Sequence, residues 1–209
     1  MKKNILTLVT LALVLSATSC TVDIREDNDT PTNNGGNQQT PGNVMDGIGT
    51  LTGEISKDLL IKKGNYTLKG IVKVGSGATI TIEPGAIFTA TTSDVSGLVI
   101  LKGAKINAVG TADSPIVFTS DNKTPGDWGG ITLYGDAPIK ALNGAATALS
   151  EEGNNQYYGG ADANSNSGTM KFVRVEYGGR KIGDGTSETN SMTFYAVGAG
   201  TTLENLVAY

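Results

Sequence analysis

Short runs of aliphatic and β-branched residues recur along the chain, and most are bounded by Gly, Pro, Asn or Asp. The runs occupy residues 71–74, 79–82, 98–101, 115–118, 130–133, 172–175 and 203–206. Runs of this length and composition favour β-strands. No stretch keeps the 3.6-residue apolar spacing that predicts an amphipathic helix. The pattern therefore predicts an all-β protein.

Two of these segments align with each other at a constant offset. Setting TITIEPGAIFTA above LVILKGAKINA places Ile82 over Leu101 and Ile87 over Ile106, an offset of 19 residues each time. A constant offset is typical of a solenoid, in which every coil stacks its strands on those of the coil before. We therefore predict a parallel β-helix over residues 44–209, with Ile82 and Leu101 as buried neighbours in one inward ladder.

Four longer stretches resemble a family of secreted and lipid-anchored bacterial β-helix proteins. They read ITIEPGAIF, LVILKGAKINAVGTADSPIVFTS, GDWGGITLYGDAPI and SGTMKFVRVEYGG, and the resemblance covers about residues 70–209. It implies a right-handed parallel β-helix of the pectate-lyase-like kind. It implies little about activity, because one fold carries many functions. Such proteins continue for further coils, whereas Tyr209 falls within a predicted strand, so we expect a fragment that is truncated at its C-terminus.

Residues 1–20 have the features of a bacterial export signal. Lysines follow Met1, residues 5–17 are almost wholly apolar, and small residues lead to Cys20, the only cysteine. The apolar run is shorter than the roughly 20 residues that span a membrane. The pattern resembles the lipobox of bacterial lipoproteins, which implies that Cys20 is lipidated and becomes the mature N-terminus. The alternative is an ordinary secretory signal with an unrelated cysteine.

Residues 21–43 are polar and contain no aromatic residue. Such a segment cannot bury enough apolar area to offset the entropy of ordering it, so it is expected to be a disordered linker. Its early acidic cluster resembles a signal that exports lipoproteins to the cell surface, although a solvated linker would have the same composition. We expect a protein of the cell envelope, held by its lipid on the outer membrane and exposed at the cell surface if that signal operates.

The composition excludes several kinds of chemistry. The chain has no histidine and a formal net charge of −4. Without histidine, Ser-His-Asp triads and imidazole bases are excluded. A basic surface for nucleic acid is not expected either. The acidic residues are scattered beside turn-forming residues, and Arg174 lies two residues from Glu176, as expected for a solvated ion pair. We therefore assign no catalytic residue.

One long polar excursion, residues 141–168, interrupts the predicted coils and holds the candidate ligand contacts. Tyr157 and Tyr158 would suit stacking on sugar rings. Asp162, Asn164 and Asn166 place oxygen atoms at alternate positions, as calcium loops do. The following glycine is one position late for such a loop, so a loop of Asx turns is the alternative. No other cofactor is expected.

Three functions remain open. The first is a non-catalytic envelope or surface protein that binds glycans or a partner. The second is a carbohydrate-active enzyme of the pectate-lyase-like class, and the third is a purely structural envelope component. Trp128, the only tryptophan, is expected to pack over a neighbouring strand rather than to bind a ligand.

Overall fold

The computed structural model describes residues 43–209, apart from residue 142 and residues 152–154 and 183–186. The predicted export signal, Cys20 and residues 21–42 of the predicted linker lie outside the described residues. The last residue of that linker, Asn43, begins the first strand. Within the described residues, no helix is long and apolar enough to cross a membrane.

The described chain forms 21 short strands. The first twelve are β1 (Asn43–Met45), β2 (Ile48–Leu51), β3 (Glu54–Ile55), β4 (Leu59–Ile61), β5 (Asn65–Leu68), β6 (Ile71–Val74), β7 (Thr79–Ile82), β8 (Ile87–Ala90), β9 (Gly97–Ile100), β10 (Lys105–Val109), β11 (Ile116–Ser120) and β12 (Ile131–Tyr134). The others are β13 (Ala148–Leu149), β14 (Tyr157–Tyr158), β15 (Gly168–Lys171), β16 (Val173–Val175), β17 (Lys181–Ile182), β18 (Ser187–Glu188), β19 (Met192–Tyr195), β20 (Thr202–Glu204) and β21 (Val207–Ala208).

Three parallel sheets run along the molecule, and each coil contributes one strand to each sheet in turn. Sheet A has the order β1-β4-β7-β10-β15-β20, sheet B the order β2-β5-β8-β11-β16-β21, and sheet C the order β3-β6-β9-β12-β19. Every pairing within these sheets is parallel. The prediction of an all-β, right-handed parallel β-helix is confirmed.

The predicted constant offset of 19 residues is wrong. In sheet A, Ile82 pairs with Ile61 on one side and with Ala108 on the other. Leu101 follows β9 of sheet C and is half-buried, so Ile82 and Leu101 are not ladder neighbours. The two aligned segments begin in different sheets because a full coil here runs from Ile80 to its partner Ile106, which is longer than 19 residues. Ile87 also faces outward, with 38% of its surface exposed.

Inward-facing side chains fill the coils and stack between successive strands. In sheet B, the ring of Phe88 lies 5.4 Å from that of Tyr66 and 4.5 Å from that of Phe118. Trp128 stacks beside Phe118 at 6.4 Å, is fully buried, and donates a 2.8 Å hydrogen bond from Nε1 to the carbonyl oxygen of Glu176. The expectation that Trp128 packs over a neighbouring strand is confirmed.

Two antiparallel hairpins extend from the corners of the solenoid. β13 pairs with β14 in the connection between β12 and β15, and β17 pairs with β18 in the connection between β16 and β19. The excursion predicted over residues 141–168 lies in the first connection, except that Gly168 is already part of β15. The second hairpin was not among the elements predicted from the sequence.

Candidate functional site

The hairpin β13–β14 is attached to the outer face of sheet C by a stack of tyrosine rings. Tyr134 and Tyr195 are neighbours across β12 and β19, and their ring centroids lie 5.3 Å apart. Tyr158 of the hairpin stacks on Tyr195 at 4.4 Å, and the Tyr134 hydroxyl donates a 3.0 Å hydrogen bond to Ser150. Tyr134 is only 1% exposed although it faces outward. The hairpin therefore covers this part of sheet C and is held in a defined position.

The other side of the same hairpin is open to solvent. Tyr157 is 63% exposed, and Leu149, its partner directly across the hairpin, is 47% exposed. Because successive strand residues point to opposite faces, Tyr157 and Tyr158 cannot form one double platform. Tyr158 packs inward on Tyr195, while Tyr157 and Leu149 together present an aromatic ring and an aliphatic side chain on a supported strand pair.

The three residues suggested as calcium ligands lie in a loop that turns at residues 163–164, and all three are exposed. The Asp162 carboxylate accepts a 3.0 Å hydrogen bond from the Asn164 N–H, and the Asn166 side chain accepts a 2.8 Å hydrogen bond from the Gly168 N–H. These are Asx turns, in which the side-chain oxygen is used by the backbone. Within the described residues, no three Asp, Glu, His or Cys side chains gather where they could hold a metal ion. The calcium hypothesis stays a prediction.

Several charged side chains near the strands form ion pairs. Four ion pairs with N–O distances of 2.7–3.0 Å occur in the described residues: Lys62–Asp46, Lys102–Asp136, Lys171–Glu204 and Arg174–Glu176. A lysine that acts as a base needs a lowered pKa. The hydrogen bond and charge of Asp46 instead raise the pKa of Lys62. Lys62 is therefore held in its charged form and does not fit the role of a base.

Asp127 is a structural carboxylate at the corner between sheets B and C. It accepts hydrogen bonds of 2.6 Å from the Ser120 hydroxyl and 2.8 Å from the Thr124 N–H, and a longer one from Asn122. Partial desolvation acts to raise the pKa of Asp127, but these hydrogen bonds outweigh it and the pKa lies below its ordinary value. A general acid needs a raised pKa, so Asp127 does not fit that role.

The outer face of sheet B carries a regular surface that sequence reasoning missed. In four successive strands, outward threonines occupy one register position and form the threonine row: Thr50, Thr67, Thr89 and Thr119. A second outward row lies two residues earlier in each strand: Ile48, Asn65, Ile87 and Val117. We call these eight residues the threonine face. The Thr119 hydroxyl oxygen is buried and has no hydrogen-bond partner.

A local signal for this face is present in the sequence. Each of the four strands contains an uncharged residue, any residue, and then threonine, as in Ile48-Gly49-Thr50 and Ile87-Phe88-Thr89. The separation between successive threonines grows along the chain because the corners lengthen. A search for a fixed period therefore cannot find the row, whereas alignment on the strands themselves would.

A comparison with known families identifies the architecture. The model of a family described as the pectate-lyase-like β-helix domain matches residues 53–209, which is more than half of the chain. The chain belongs to this family. No curated protein and no solved structure matches the sequence of this pectate-lyase-like β-helix domain. The resemblance noted in the sequence is therefore confirmed for the fold, and the match by itself assigns no ligand.

Proposed function

We propose that this pectate-lyase-like β-helix domain is a non-catalytic binding protein of the bacterial cell envelope. Its recognition element is the hairpin β13–β14, and its ligand is a glycan that stacks on Tyr157. The observation that carries the proposal is the contrast between the two tyrosines. Tyr158 stacks on sheet C, whereas Tyr157 remains 63% exposed on a hairpin that is already fixed in place.

A preformed platform suits recognition because little conformational entropy is lost when the ligand binds. An aromatic ring that is exposed beside an aliphatic side chain offers the flat apolar surface on which the C–H face of a sugar can lie. The local pairing of the charged residues supports binding over acid–base chemistry. Arg174, which could neutralise an acidic substrate, lies 2.7 Å from the carboxylate of Glu176.

The test is a glycan-array screen of the full-length protein, followed by calorimetry with the glycans retained. Tyr157→Ala is expected to weaken binding at least about tenfold, which corresponds to about 1.4 kcal/mol. Tyr157→Phe keeps the ring and is the matched control, so it should bind like the native protein. Absence of any bound glycan, or equal affinity of the native and Tyr157→Ala proteins, would contradict the proposal.

The proposed location rests on Cys20, whose lipid would hold the domain on the outer membrane with the polar segment that follows as a tether. Two acyl chains anchor stably at about 0.8 kcal/mol per buried CH₂. Cys20→Ala should release the protein from membranes or leave the export signal uncleaved. A cleaved Cys20→Ala protein that still sediments with membranes would rule out the lipid anchor.

The family match favours a carbohydrate-active enzyme as the second candidate. That function predicts unsaturated products from polygalacturonate or a related glycan. It also predicts that Arg174→Ala or Asp162→Asn abolishes their formation. Turnover that survives both substitutions would leave these residues without a catalytic role.

A further inference from the structure

A single lysine joins the two ends of the segment that carries the hairpin β13–β14. Lys102 lies in the short corner between β9 and β10. Its Nζ atom lies 2.7 Å from the carboxylate of Asp136, at the start of the long connection that leaves sheet C. The same atom donates a 2.8 Å hydrogen bond to the carbonyl oxygen of Gly159, directly after β14. Because Asp136 precedes the hairpin and Gly159 follows it, Lys102 connects both ends of this segment to the preceding coil.

The backbone at Gly159 is closely packed in this arrangement. The Gly159 N–H donates a 3.0 Å hydrogen bond to the carbonyl oxygen of Gly135, so both backbone polar groups of Gly159 are used. Gly159 has a φ of +86°, and an added Cβ would lie 2.8 Å from the carbonyl oxygen of Ala146. A Cβ on Gly160 would collide with the carboxylate of Asp136. The chain therefore leaves β14 in a tight turn that is held against the two groups bound to Lys102.

Other contacts of the hairpin join neutral groups. Tyr158 stacks on Tyr195, and Tyr134 bonds to Ser150 at the end of β13. Exposed ion pairs contribute little to global stability. The free energy of opening one hairpin can, however, lie far below that of global unfolding. The contacts of Lys102 can therefore decide how often the hairpin is closed without changing the stability of the coils.

We propose that Lys102 is a positioning residue for the platform formed by Tyr157 and Leu149. It acts through the backbone of Gly159, two residues after Tyr157, and through Asp136 at the other end of the segment. This inference rests on the proposed glycan function and adds the residue that keeps the platform in its binding arrangement. Without the lysine, the apparent affinity falls in proportion to the fraction of molecules that keep this arrangement.

The experiment compares the native full-length protein with Lys102→Met and Lys102→Arg. Amide hydrogen exchange follows Ser150 and Gly159, whose N–H groups donate hydrogen bonds to Gln156 and Gly135. Calorimetry measures affinity for a glycan retained from the array. Lys102→Met should remove most of the protection of these two amides. It should also weaken glycan binding at least about threefold, as expected if the hairpin is closed in about a third of the molecules. Lys102→Arg keeps the charge and the donors, so it should behave like the native protein.

The matched control is Lys171→Met. Lys171 forms a 3.0 Å ion pair with Glu204 across β15 and β20 of sheet A, and its side chain is 35% exposed against 34% for Lys102. This variant should leave the exchange of Ser150 and Gly159 and the glycan affinity unchanged. All four proteins should have the same midpoint of unfolding in urea, which separates a local effect on the hairpin from a loss of global stability.

Three results would overturn the assignment. They are unchanged protection of Ser150 and Gly159 in Lys102→Met, an equal change in Lys171→Met, and lost protection without any loss of glycan affinity. Failure of every protein, native included, to bind any glycan would instead refute the proposed function. The exchange of the two amides would still confirm or refute that Lys102 holds the hairpin.

Discussion

The aromatic ladder of sheet B gives the sharpest test of the coil register. Phe88 is 1% exposed and lies between Tyr66 and Phe118, with ring centroids 5.4 and 4.5 Å away. Phe88→Ala leaves a cavity between two coils that cannot close without moving their backbones. Truncation of a buried phenylalanine costs about 3–5 kcal/mol, and each lost aromatic pair adds about 0.5–1.5 kcal/mol beyond area burial. We expect the upper end of the first range, about 4–5 kcal/mol.

The assay is urea denaturation followed by the fluorescence of Trp128, which is the only tryptophan and stacks beside Phe118. The control is Ile87→Ala, the preceding residue of the same strand, which faces solvent and should cost below about 1.5 kcal/mol. The urea concentration at the midpoint of unfolding should fall far more for Phe88→Ala than for the control. The slope of the unfolding free energy with urea concentration should change little. Equal losses for the two variants would mean that Phe88 is not the inward residue and would refute the register.

Three further changes test one outward position of sheet B, one corner and one strand contact. Thr119→Val removes the buried hydroxyl that lacks a partner and should raise the free energy of unfolding by about 1 kcal/mol. A lower free energy of unfolding, measured by urea denaturation, would contradict this. Because the pKa of Asp127 is lowered in the folded state, its contribution is complete above the unfolded pKa of about 3.9 and disappears as pH falls through the folded value. The melting temperatures of Asp127→Asn and native protein should therefore differ at pH 6 and converge in acid. A difference that stays constant with pH would refute the lowered pKa of Asp127. Gly168→Ala would place a Cβ against the carbonyl oxygen of Ile106 at positive φ, so its melting temperature should fall well below that of Gly144→Ala, where the added Cβ meets nothing within 4 Å.

Much of the architecture follows from local sequence. Short β-branched runs bounded by turn residues predict the strands, since such runs are too short and too β-branched for helices. The register of pairing between strands of successive coils could not be predicted, because it depends on the lengths of the corners, which carry no hydrophobic pattern. Ile82 and Leu101 align in the sequence only because the strands of one solenoid resemble each other. Ile82 lies in β7 of sheet A, whereas Leu101 follows β9 of sheet C.

The candidate site was foreseen in part. The polar excursion was visible as an interruption of the runs, and Tyr157 was among its expected contacts. The two-residue strand that gives Tyr157 and Tyr158 opposite directions could not be predicted, because its hydrogen bonds form with β13 and its position depends on Tyr195. The threonine face was missed for the same reason as the register, since only the pairing of distant strands aligns its residues.

The lengthening corners have a consequence for how such proteins diversify. The connection from sheet C to sheet A takes residues 101–104 in one coil and residues 135–167 in the next. Loop closure costs only about 0.6 kcal/mol per doubling of length, so this eightfold extension costs about 2 kcal/mol. That is less than the loss of one buried phenylalanine ring. A solenoid of this kind can therefore exchange one corner loop for another during evolution, or accept an inserted peptide at residues 143–147 in the laboratory, while the stacked interior stays unchanged.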